Sequence, residues 1–531
     1  MSGQRGNRSM RAAQSSPHPP PQSPANPARR AGLVWLAATA WPQPAWPAAT
    51  DPGQPPPAMP PRALGLPHLQ QQTLANGLTL LTASRRCLPL VNALLVLRVG
   101  AEADPTGRPG VAAMTATLLA KGALRGGRPV GAAALALQAE SLGAALDTGS
   151  GWRSSSAGLT VTTPLLPAAL ALLADVMRRP LLAADELARA RAQALDAWRL
   201  ALASPGEVAA LALRRAFWGD TAYGAMAGDA ALRRLTDGDL ARFHRNHYHP
   251  ADAALVLAGD VDPDEARRLA ERLLGSWQGA AAATSDAGLA AARGATSPAP
   301  RAAQAPVSIA EPLLLLDMPG SGQTAVALAA PYLGDADPDD RAAKYVGQVA
   351  NAVLGGGFSA RLNQELRVRR GLSYGVFSQT ESSPPGGMLM ATAMTRHASA
   401  AQVLALMRGE LLRLADAPPS PAELAARQAA LLGSFARRLD STAGIAALVE
   451  AQWQQRRPID ELARRSEQVL AVTPAQVQAF ARRHWSADRL RAVVAGDLAA
   501  GGDALATAYP KAPRLPLAGL DLERLGRRAG G

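Results

Sequence analysis

The sequence is poor in two residue types that carry much of protein chemistry. Its 531 residues include one cysteine, Cys87, which excludes an internal disulfide and any zinc or iron–sulfur site built on several thiolates. Only three of its basic residues are lysines, Lys121, Lys344 and Lys511, so arginine carries almost all of the positive charge. The chain is 48% apolar, which excludes a wholly disordered protein. Its length exceeds the roughly 250–300 residues at which a single core stops growing, so two or more packed units are expected.

The net charge of +13 at first suggests a nucleic-acid or anionic-lipid partner. The first 62 residues hold six arginines and one acid. The remaining excess is spread over Ala- and Arg-rich helical patterns without a dense basic block. The chain also lacks the alternation of basic and aromatic residues on which nucleic-acid bases stack. A compositional bias toward alanine and arginine explains the charge better, and no nucleic-acid partner is predicted.

Residues 1–62 have the composition of a targeting segment followed by a Pro/Ala-rich linker. Arg29 and Arg30 precede an apolar run at residues 32–41. The run is too short to span a bilayer but suits the core of a signal peptide. Export to the periplasm or the exterior is therefore expected, with a disordered tail as the alternative and Met10 as an alternative start. No other segment has the length and hydropathy of a membrane helix.

Two segments 237 residues apart repeat one pattern. They align without a gap, and the positions that coincide include Thr236/Thr473, Phe243/Phe480, His247/His484, Tyr248/Trp485, Gly259/Gly496 and Asp260/Asp497. A shorter repeat ends at Pro105 and at Pro338. The sequence therefore predicts two copies of one domain.

Each copy alternates strand-like and helix-like segments. Apolar runs at residues 90–100 and 253–259 predict strands, whereas the patterns at residues 184–202 and 262–277 predict helices. The predicted fold class is α+β, with two homologous halves of antiparallel-type sheets backed by helices. The expected divisions are an N-terminal domain over residues 63–277, an interdomain linker over 278–312, a C-terminal domain over 313–512 and a tail over 513–531.

Four motifs occur in an order typical of one protein family. They are NGLTLL at residues 76–81, GAEADPTGRPGVAAMTATLLAKGA at 100–123, HYHPADAALVLAGD at 247–260 and LGGGFSARLNQELRVRRGLSYGV at 354–376. In this order, across both repeats, the chain resembles the pitrilysin/insulinase-like zinc metallopeptidases. The resemblance implies a clam-like pair of halves with a chamber for peptides.

The resemblance also implies a zinc site, but its ligands are missing. Active members of the family carry His-x-x-Glu-His on a helix, where two imidazoles bind zinc and the glutamate acts as a base on the metal-bound water. The corresponding residues here are Ala113, Ala116 and Thr117. The position of a further, distal glutamate falls near Ala197, next to Asp196. Alanine and threonine cannot replace imidazoles, so neither a metal nor another cofactor is predicted.

Arg367 and Tyr374 match an Arg/Tyr pair of the resembling enzymes. There the pair comes from the C-terminal half, closes over the site and contacts the bound peptide and its scissile carbonyl. A guanidinium and a phenol are donors that can stabilise a developing oxyanion. The alternative is an ordinary surface arginine and a half-buried strand tyrosine.

The adjacent glycines Gly355, Gly356 and Gly357 are predicted to bind substrate as a flexible loop, which borders the substrate cavity in the resembling family. A phosphate-binding loop is the weaker interpretation, because no Gly-Lys-Ser/Thr follows and a helical pattern precedes the glycines.

Two other patterns suggest different chemistry. His244, His247 and His249 lie within six residues like metal ligands, but the second copy retains only His484 of the three, which favours packing roles. Gly-Leu-Ser373-Tyr-Gly has the G-x-S-x-G pattern of a serine-hydrolase nucleophile. That nucleophile requires a strand before it and a helix after it, whereas here the order is reversed.

The combined features predict a non-catalytic subunit that binds peptides and activates a zinc-bearing homologue in a heterodimer. The chain alone is expected to be inactive, and extended peptides are expected to add a strand to a sheet edge. The alternative is a structural or assembly protein that uses the peptidase fold only for docking. The sequence leaves open whether the chain pairs with itself.

Overall fold

Two six-stranded sheets form the framework of the chain. The computed structural model describes residues 65–278, 312–335, 341–518, 520–523 and 526–527. The predicted targeting segment and almost all of the predicted linker lie outside these residues. The strands are β1 His68–Thr73, β2 Thr79–Ser84, β3 Leu90–Leu97, β4 Gly122–Arg125, β5 Arg128–Gly131, β6 Asp147–Ser150, β7 Ser155–Thr162, β8 Ala253–Gly259, β9 Leu313–Asp317, β10 Thr324–Tyr332, β11 Val376–Ser383, β12 Gly386–Thr395, β13 Arg491–Gly496, β14 Arg514–Pro516, β15 Leu520–Asp521 and β16 Gly526–Arg527.

The helices pack against the faces of these sheets. They are α1 Val111–Leu119, α2 Ala132–Ser141, α3 Leu166–Arg178, α4 Ala184–Ala203, α5 Pro205–Trp218, α6 Asp229–Arg234, α7 Asp237–His247, α8 Pro263–Leu274, α9 Arg341–Leu354, α10 Arg361–Asn363, α11 Ala400–Asp416, α12 Pro421–Leu439, α13 Thr442–Gln454, α14 Glu461–Leu470, α15 Pro474–His484 and α16 Ala504–Ala508. Helix α10 continues directly into a π-helix at Gln364–Arg369. No helix of the described chain is long and apolar enough to cross a membrane.

The two sheets share one strand order, as the sequence repeat predicts. The first sheet runs β1-β2-β8-β3-β7-β6, and the second, read from its far edge, runs β14-β9-β13-β10-β12-β11. In each sheet an equivalent parallel pair, β2 with β8 or β9 with β13, adjoins a run of antiparallel strands. The α+β fold class is confirmed. These pairs arise because β8 inserts between β2 and β3 in the first sheet, and β13 inserts between β9 and β10 in the second.

The outermost strands β1 and β14 differ between the two sheets. Strand β1 precedes β2 and pairs with it antiparallel, whereas β14 follows the second copy and pairs with β9 in parallel. Strand β14 comes from the segment that the sequence analysis assigned to a C-terminal tail. Leu520 and Leu522, slightly further along, are buried against the second sheet. This segment therefore completes the second sheet and its core.

Equivalent capping boxes begin α7 and α15. The Thr236 hydroxyl accepts from Asp239 N at 3.2 Å, and the Asp239 carboxylate accepts from Thr236 N at 3.0 Å. Thr473 and Gln476 make the same exchange at 3.3 and 2.9 Å. Each box satisfies two backbone groups that the first turn would leave unpaired. The repeat thus preserves the local signal that starts the helix before β8 and β13.

One helix of each half packs against the sheet of the other half. Helix α5 buries Phe217 and Trp218 against the second sheet, in a cluster that includes Leu316 and Val493. Helix α13 in turn buries its apolar face against the first sheet, where Trp453 joins a cluster of β2, β3 and β8 side chains. Neither sheet therefore has both faces covered by residues of its own half.

Candidate functional site

Helix α1 carries the three positions at which the family would hold zinc. Ala113 and Thr117 are exposed one turn apart on the same side of α1, whereas Ala116 is fully buried. The Thr117 hydroxyl donates to the Ala113 carbonyl oxygen at 2.9 Å, so it satisfies its own helix. A methyl group and a hydroxyl occupied in this way do not fit a zinc ion, which needs imidazole, thiolate or carboxylate ligands.

The remaining candidate ligand, Asp196, lies on the exposed side of α4. Its carboxylate accepts from Arg199 Nη1 at 2.5 Å, and both side chains are more than half exposed. The neighbouring Ala197 is also exposed. Within the ranges that the structure describes, no cluster of three or more His, Cys, Asp or Glu side chains is arranged to hold a metal ion.

The start of α1 is held by a partly buried carboxyl group. Asp104 accepts from Gly110 N at 2.6 Å and from Ala112 N at 2.7 Å. Burial raises the pKa of Asp104 to about 6, against the opposing effect of the two backbone donors. The carboxyl group therefore fixes where α1 begins, although the helix carries no metal ligands.

The histidines of α7 have packing and hydrogen-bonding roles. His244 Nε2 lies 2.8 Å from the Met177 carbonyl oxygen, and the His247 ring packs 4.6 Å from the Phe243 ring centre. Burial lowers the pKa of both imidazoles. In the second copy, His484 packs at the same 4.6 Å from its own phenylalanine. The shared His/Phe contact belongs to the repeated core.

Arg367 and Tyr374 are brought together in the second half. Arg367 lies on the π-helix, and its guanidinium carbon is 5.1 Å from the centre of the Tyr374 ring and 5.3 Å from that of Phe358. Both distances are within the range of cation–π attraction. Tyr374 is 88% exposed. The pair therefore places a half-buried guanidinium beside an exposed phenol.

The turn between Arg367 and Tyr374 determines how closely their side chains approach. Gly371 has φ of +61°, a conformation that favours glycine, and Leu372 N donates to the Leu366 carbonyl at 2.8 Å. The Ser373 hydroxyl donates to the Gly375 carbonyl at 2.9 Å and accepts from Gly375 N at 3.3 Å. Ser373 thus stabilises its own turn, and the helix-then-strand order around it is the reverse of what a serine nucleophile needs.

Arg367 differs from the arginines near it. Arg369 and Arg370 donate to the two oxygens of Glu365 at 2.9 and 2.7 Å. Arg361, at the start of the preceding helix α10, forms a bidentate pair with Glu423. Across the described residues, Arg367 makes no ion pair and no side-chain hydrogen bond. Its N–H groups are available to an outside acceptor.

The three glycines do not have one common role. A Cβ on Gly355 would lie 2.5 Å from Ser378 Oγ, and one on Gly356 would lie 2.9 Å from Ala352 Cα, whereas Gly357 has open space. The amides of Gly355 and Gly356 both donate to the Asn351 carbonyl. Two of the three glycines therefore permit close packing, and their amides are not available to a phosphate. Contact with substrate stays a prediction.

Sequence reasoning missed Asn363, which connects the glycine loop to β11. Asn363 is fully buried; its amide donates to the Val376 and Gly357 carbonyls, at 2.5 and 3.2 Å, and its oxygen accepts from Val376 N at 3.0 Å. A polar residue inside the apolar helical pattern was the available signal. In addition, Ser378 N donates to the Gly355 carbonyl at 2.9 Å. The first part of the β11 edge is therefore closed to an added strand.

The first sheet has a more open edge, which is strand β6. Strand β6 pairs only with β7, and its exposed residues alternate with half-buried ones. In the described chain, no other strand pairs with the outer side of β6. An extended peptide would therefore find unpaired backbone groups at β6 rather than at the start of β11.

Contacts between the two halves were also missed from the sequence. Arg214 donates to both oxygens of Glu381 at 2.7 and 2.5 Å, and its guanidinium lies 5.2 Å from the Trp152 ring centre. Arg153 forms a further ion pair with Asp335. These partners are separated by 167 and 182 residues, and no local pattern indicates such pairs.

Comparisons with known proteins agree with this architecture. Residues 234–431 match the family model of the peptidase M16 inactive domain. An uncharacterized zinc protease of Streptomyces coelicolor is 28% identical over 322 residues, which is 60% of this chain and 66% of that protein, just under two thirds of its length. An uncharacterized zinc protease of Mycobacterium tuberculosis is 29% identical over 336 residues, or 62% of this chain and 72% of the relative.

Two solved structures share the fold. A peptidase M16 inactive domain from Pseudomonas fluorescens has a TM-score of 0.69 and 26% identity, and the match covers 81% of this chain and 98% of that one. A protease from Helicobacter pylori has a TM-score of 0.69 at 18% identity, covering 81% and 100% of the two chains; that likeness concerns the fold alone. By its motif order, fold and matches, the chain is similar to the M16 peptidases, the pitrilysin/insulinase-like family, and lacks that family's His-x-x-Glu-His motif.

Proposed function

We propose that this chain is the non-catalytic subunit of a heterodimeric zinc metallopeptidase, in which it binds peptides and activates a zinc-bearing homologue. One contrast carries the proposal. The exposed side of α1 has lost every zinc ligand, while a half-buried Arg367 remains adjacent to an exposed Tyr374. A protein whose fold served only for docking would have no use for a donor pair arranged in this way.

In this proposal the catalytic groups are divided between two chains. The partner supplies the metal and the hydrolytic water. Arg367 donates N–H bonds to the peptide carbonyl, and the Tyr374 hydroxyl donates to the same oxygen as negative charge develops on it. Donors fixed before the reaction stabilise that charge without having to reorganise. The two rings that stack on Arg367 limit its freedom in the unbound state.

A structural or assembly role without catalysis is the second candidate. Loss of the zinc ligands is equally expected for such a protein, and the large contacts between the halves would suit a rigid scaffold. The uncompensated charge of Arg367 has no purpose in that role. Export to the periplasm or the exterior remains a proposal from the sequence, tested by N-terminal sequencing of the protein recovered from cell fractions.

The test is peptide turnover by the complex with a homologue that carries His-x-x-Glu-His, sought first in an adjacent reading frame. Tyr374→Phe and Arg367→Ala should each reduce turnover, by up to about 10²–10³-fold for a fully placed donor, without changing association. Arg367→Lys is the control for geometry, because an ammonium lacks the planar fork of donors. Wild-type turnover by both assembled variants would favour the docking role.

A further inference from the structure

We infer that Arg367 and three exposed aromatic side chains form a binding patch for an acidic side chain of an extended peptide, next to an apolar side chain. The aromatic patch is defined as Phe358, Arg367, Tyr374 and Phe377. The inference rests on the proposed function and specifies the class of peptide that the subunit selects.

The first observation is the exposure of large apolar groups in one place. Phe358, Tyr374 and Phe377 are 63%, 88% and 41% exposed. The rings of Phe358 and Phe377 meet edge to face, with centres 5.0 Å apart. Since an aromatic side chain covers roughly 150–250 Å² when buried, the three rings offer roughly 400 Å² to a ligand. A patch of roughly this area is comparable to the largest apolar patch of a typical monomer, which is often functional.

The second observation is charge. Three arginines near Arg367 each form an ion pair, two of them with Glu365 and one with Glu423. Within the described residues Arg367 has no acidic partner, and it lies between two rings that contribute no formal charge. A carboxylate is the group that best complements an unpaired guanidinium, because the two planar groups form two parallel hydrogen bonds. These take two of the five N–H donors of Arg367 and leave the others for the peptide carbonyl.

The patch is also rigid. Asn363 fixes the start of β11 through its three hydrogen bonds, and Ser378 N closes the glycine loop onto the same strand. Phe377 lies on this strand, and Phe358 follows the loop directly. A site that is already ordered loses little conformational entropy when a peptide binds.

The size of the patch favours a peptide over a second protein surface. Stable protein interfaces bury about 800 Å² on each partner, about twice what the three rings offer. A segment of three or four residues fits the available area, with its acidic group on Arg367 and its apolar group against the exposed sides of Phe358 and Phe377. A subunit contact at the patch becomes one outcome of the test.

The test measures binding of labelled peptides to the full chain by fluorescence anisotropy, without a partner subunit. Three Ala-rich decapeptides carry Phe-Glu, Phe-Gln or Phe-Lys at their centre and are otherwise identical. The Phe-Glu peptide should bind about tenfold more tightly than Phe-Gln at low salt, as expected for a charge-assisted pair, with Phe-Lys the weakest. The preference should shrink in high salt because the site is exposed.

Variants separate the parts of the site. Arg367→Met keeps an unbranched apolar side chain against the rings and removes the charge, so it should reduce the preference for Phe-Glu to within twofold. Phe358→Ala should weaken all three peptides by a similar factor. Arg482→Ala, at an exposed arginine on α15, should leave the preference unchanged. Circular dichroism melting of each variant checks that the fold is retained.

Three outcomes would overturn the inference. Equal affinity for Phe-Glu and Phe-Gln would remove the acidic preference but leave peptide binding and the proposed function in place. A change of oligomeric state in Phe358→Ala, seen by sedimentation, together with indifference to peptide charge would assign the patch to a subunit contact. Absence of binding to any peptide would reject the patch as a peptide site, while turnover by the complex would still decide the proposed function.

Discussion

At the scale of single residues, surroundings distinguish side chains of the same type. Arg367, Arg369 and Arg370 lie within four positions, yet two of them neutralise one buried glutamate and the third stacks on aromatic rings. The π-helix turn that holds these arginines spaces them differently from an α-helix. Such turns occur frequently at functional sites, and here the turn presents Arg367 beside Tyr374.

Metal independence follows from the residues of α1. With Ala113 and Thr117 in place of imidazoles, purified protein should contain far less than one equivalent of zinc by elemental analysis. A chelator should change neither its melting temperature nor any residual peptidase activity. Stoichiometric zinc together with chelator-sensitive cleavage would contradict this prediction.

Asn363 should be among the most sensitive polar positions of the site. Asn363→Leu keeps the approximate volume but leaves the buried Val376 N and carbonyl without partners, which should cost about 2–4 kcal/mol of the free energy of unfolding. Urea denaturation measures this loss. Gln379→Ala, an exposed position on the same strand, is the matched control and should change stability by less than about 0.5 kcal/mol.

His484 should make the protein sensitive to acid. Burial, with smaller effects of Arg483 and Arg489, lowers the pKa of His484 from 6.5 to about 4. The unfolded chain therefore binds this proton first, and stability is lost as the pH falls from 6.5 toward about 4. His484→Gln should make the decline between pH 7 and pH 5 shallower by about 1 kcal/mol, a value reduced for partial exposure.

Denaturation series at several pH values measure this slope for His484→Gln. The loss of the ring contact with Phe480 lowers the stability of the variant equally at every pH and does not affect the slope. His68→Gln, at an exposed histidine, is the control. A decline as steep in His484→Gln as in the wild type would contradict the assignment.

At the scale of elements, α5 and α13 are the least expected features. Both follow long amphipathic helices, and each repeat contains one. Their apolar faces are unremarkable in the sequence, because a helix that packs on its own sheet has the same 3.6-residue pattern as one that packs on another. Only the tertiary structure places α5 on β10 and β13, and α13 on β3 and β8.

Phe217→Ala tests this exchange. Phe217 is 1% exposed, and its loss should cost about 3–5 kcal/mol by leaving a cavity. Hydrogen exchange should show the greatest loss of protection in β10 and β13 of the second half, although the substitution lies in the first. Loss of protection confined to strands of the first half would contradict the packing of α5 on the second sheet. Phe217→Leu should cost less, because most of the volume is retained.

At the scale of the whole molecule, the exchanged helices join the two halves into one folding unit. The cores beneath α5 and α13 contain residues of both halves. Across the same boundary Arg214 binds Glu381 with two hydrogen bonds, and Arg98 lies 3.8 Å from the Trp453 ring centre. Hinge opening of the halves would expose both cores.

Denaturant unfolding should therefore be a single cooperative transition. Circular dichroism and tryptophan fluorescence should give the same midpoint, because neither half retains a complete core when the other unfolds. Arg214→Ala should lower that midpoint without splitting the transition. Two separate transitions would indicate that the halves fold independently.

The sequence by itself determined the repeat, the α+β class, the resemblance to the peptidase family and the absence of the zinc motif. Each of these depends on residue type and order. The capping boxes at Thr236 and Thr473 start a helix, and the alanines on α1 cannot bind zinc, whatever segments pack around them. The proximity of Arg367 and Tyr374 was also predictable, because a short turn joins them.

The tertiary structure alone decided which helix covers which sheet, that Asn363 and Gly355 close the edge of β11, and that Arg367 has no acidic partner among the described residues. Helix exchange is invisible in the sequence because an apolar face does not specify its partner. Edge closure and charge compensation depend on contacts between segments that approach only after folding. The sequence therefore indicated which residues matter for the site, and packing decided what each of them is free to bind.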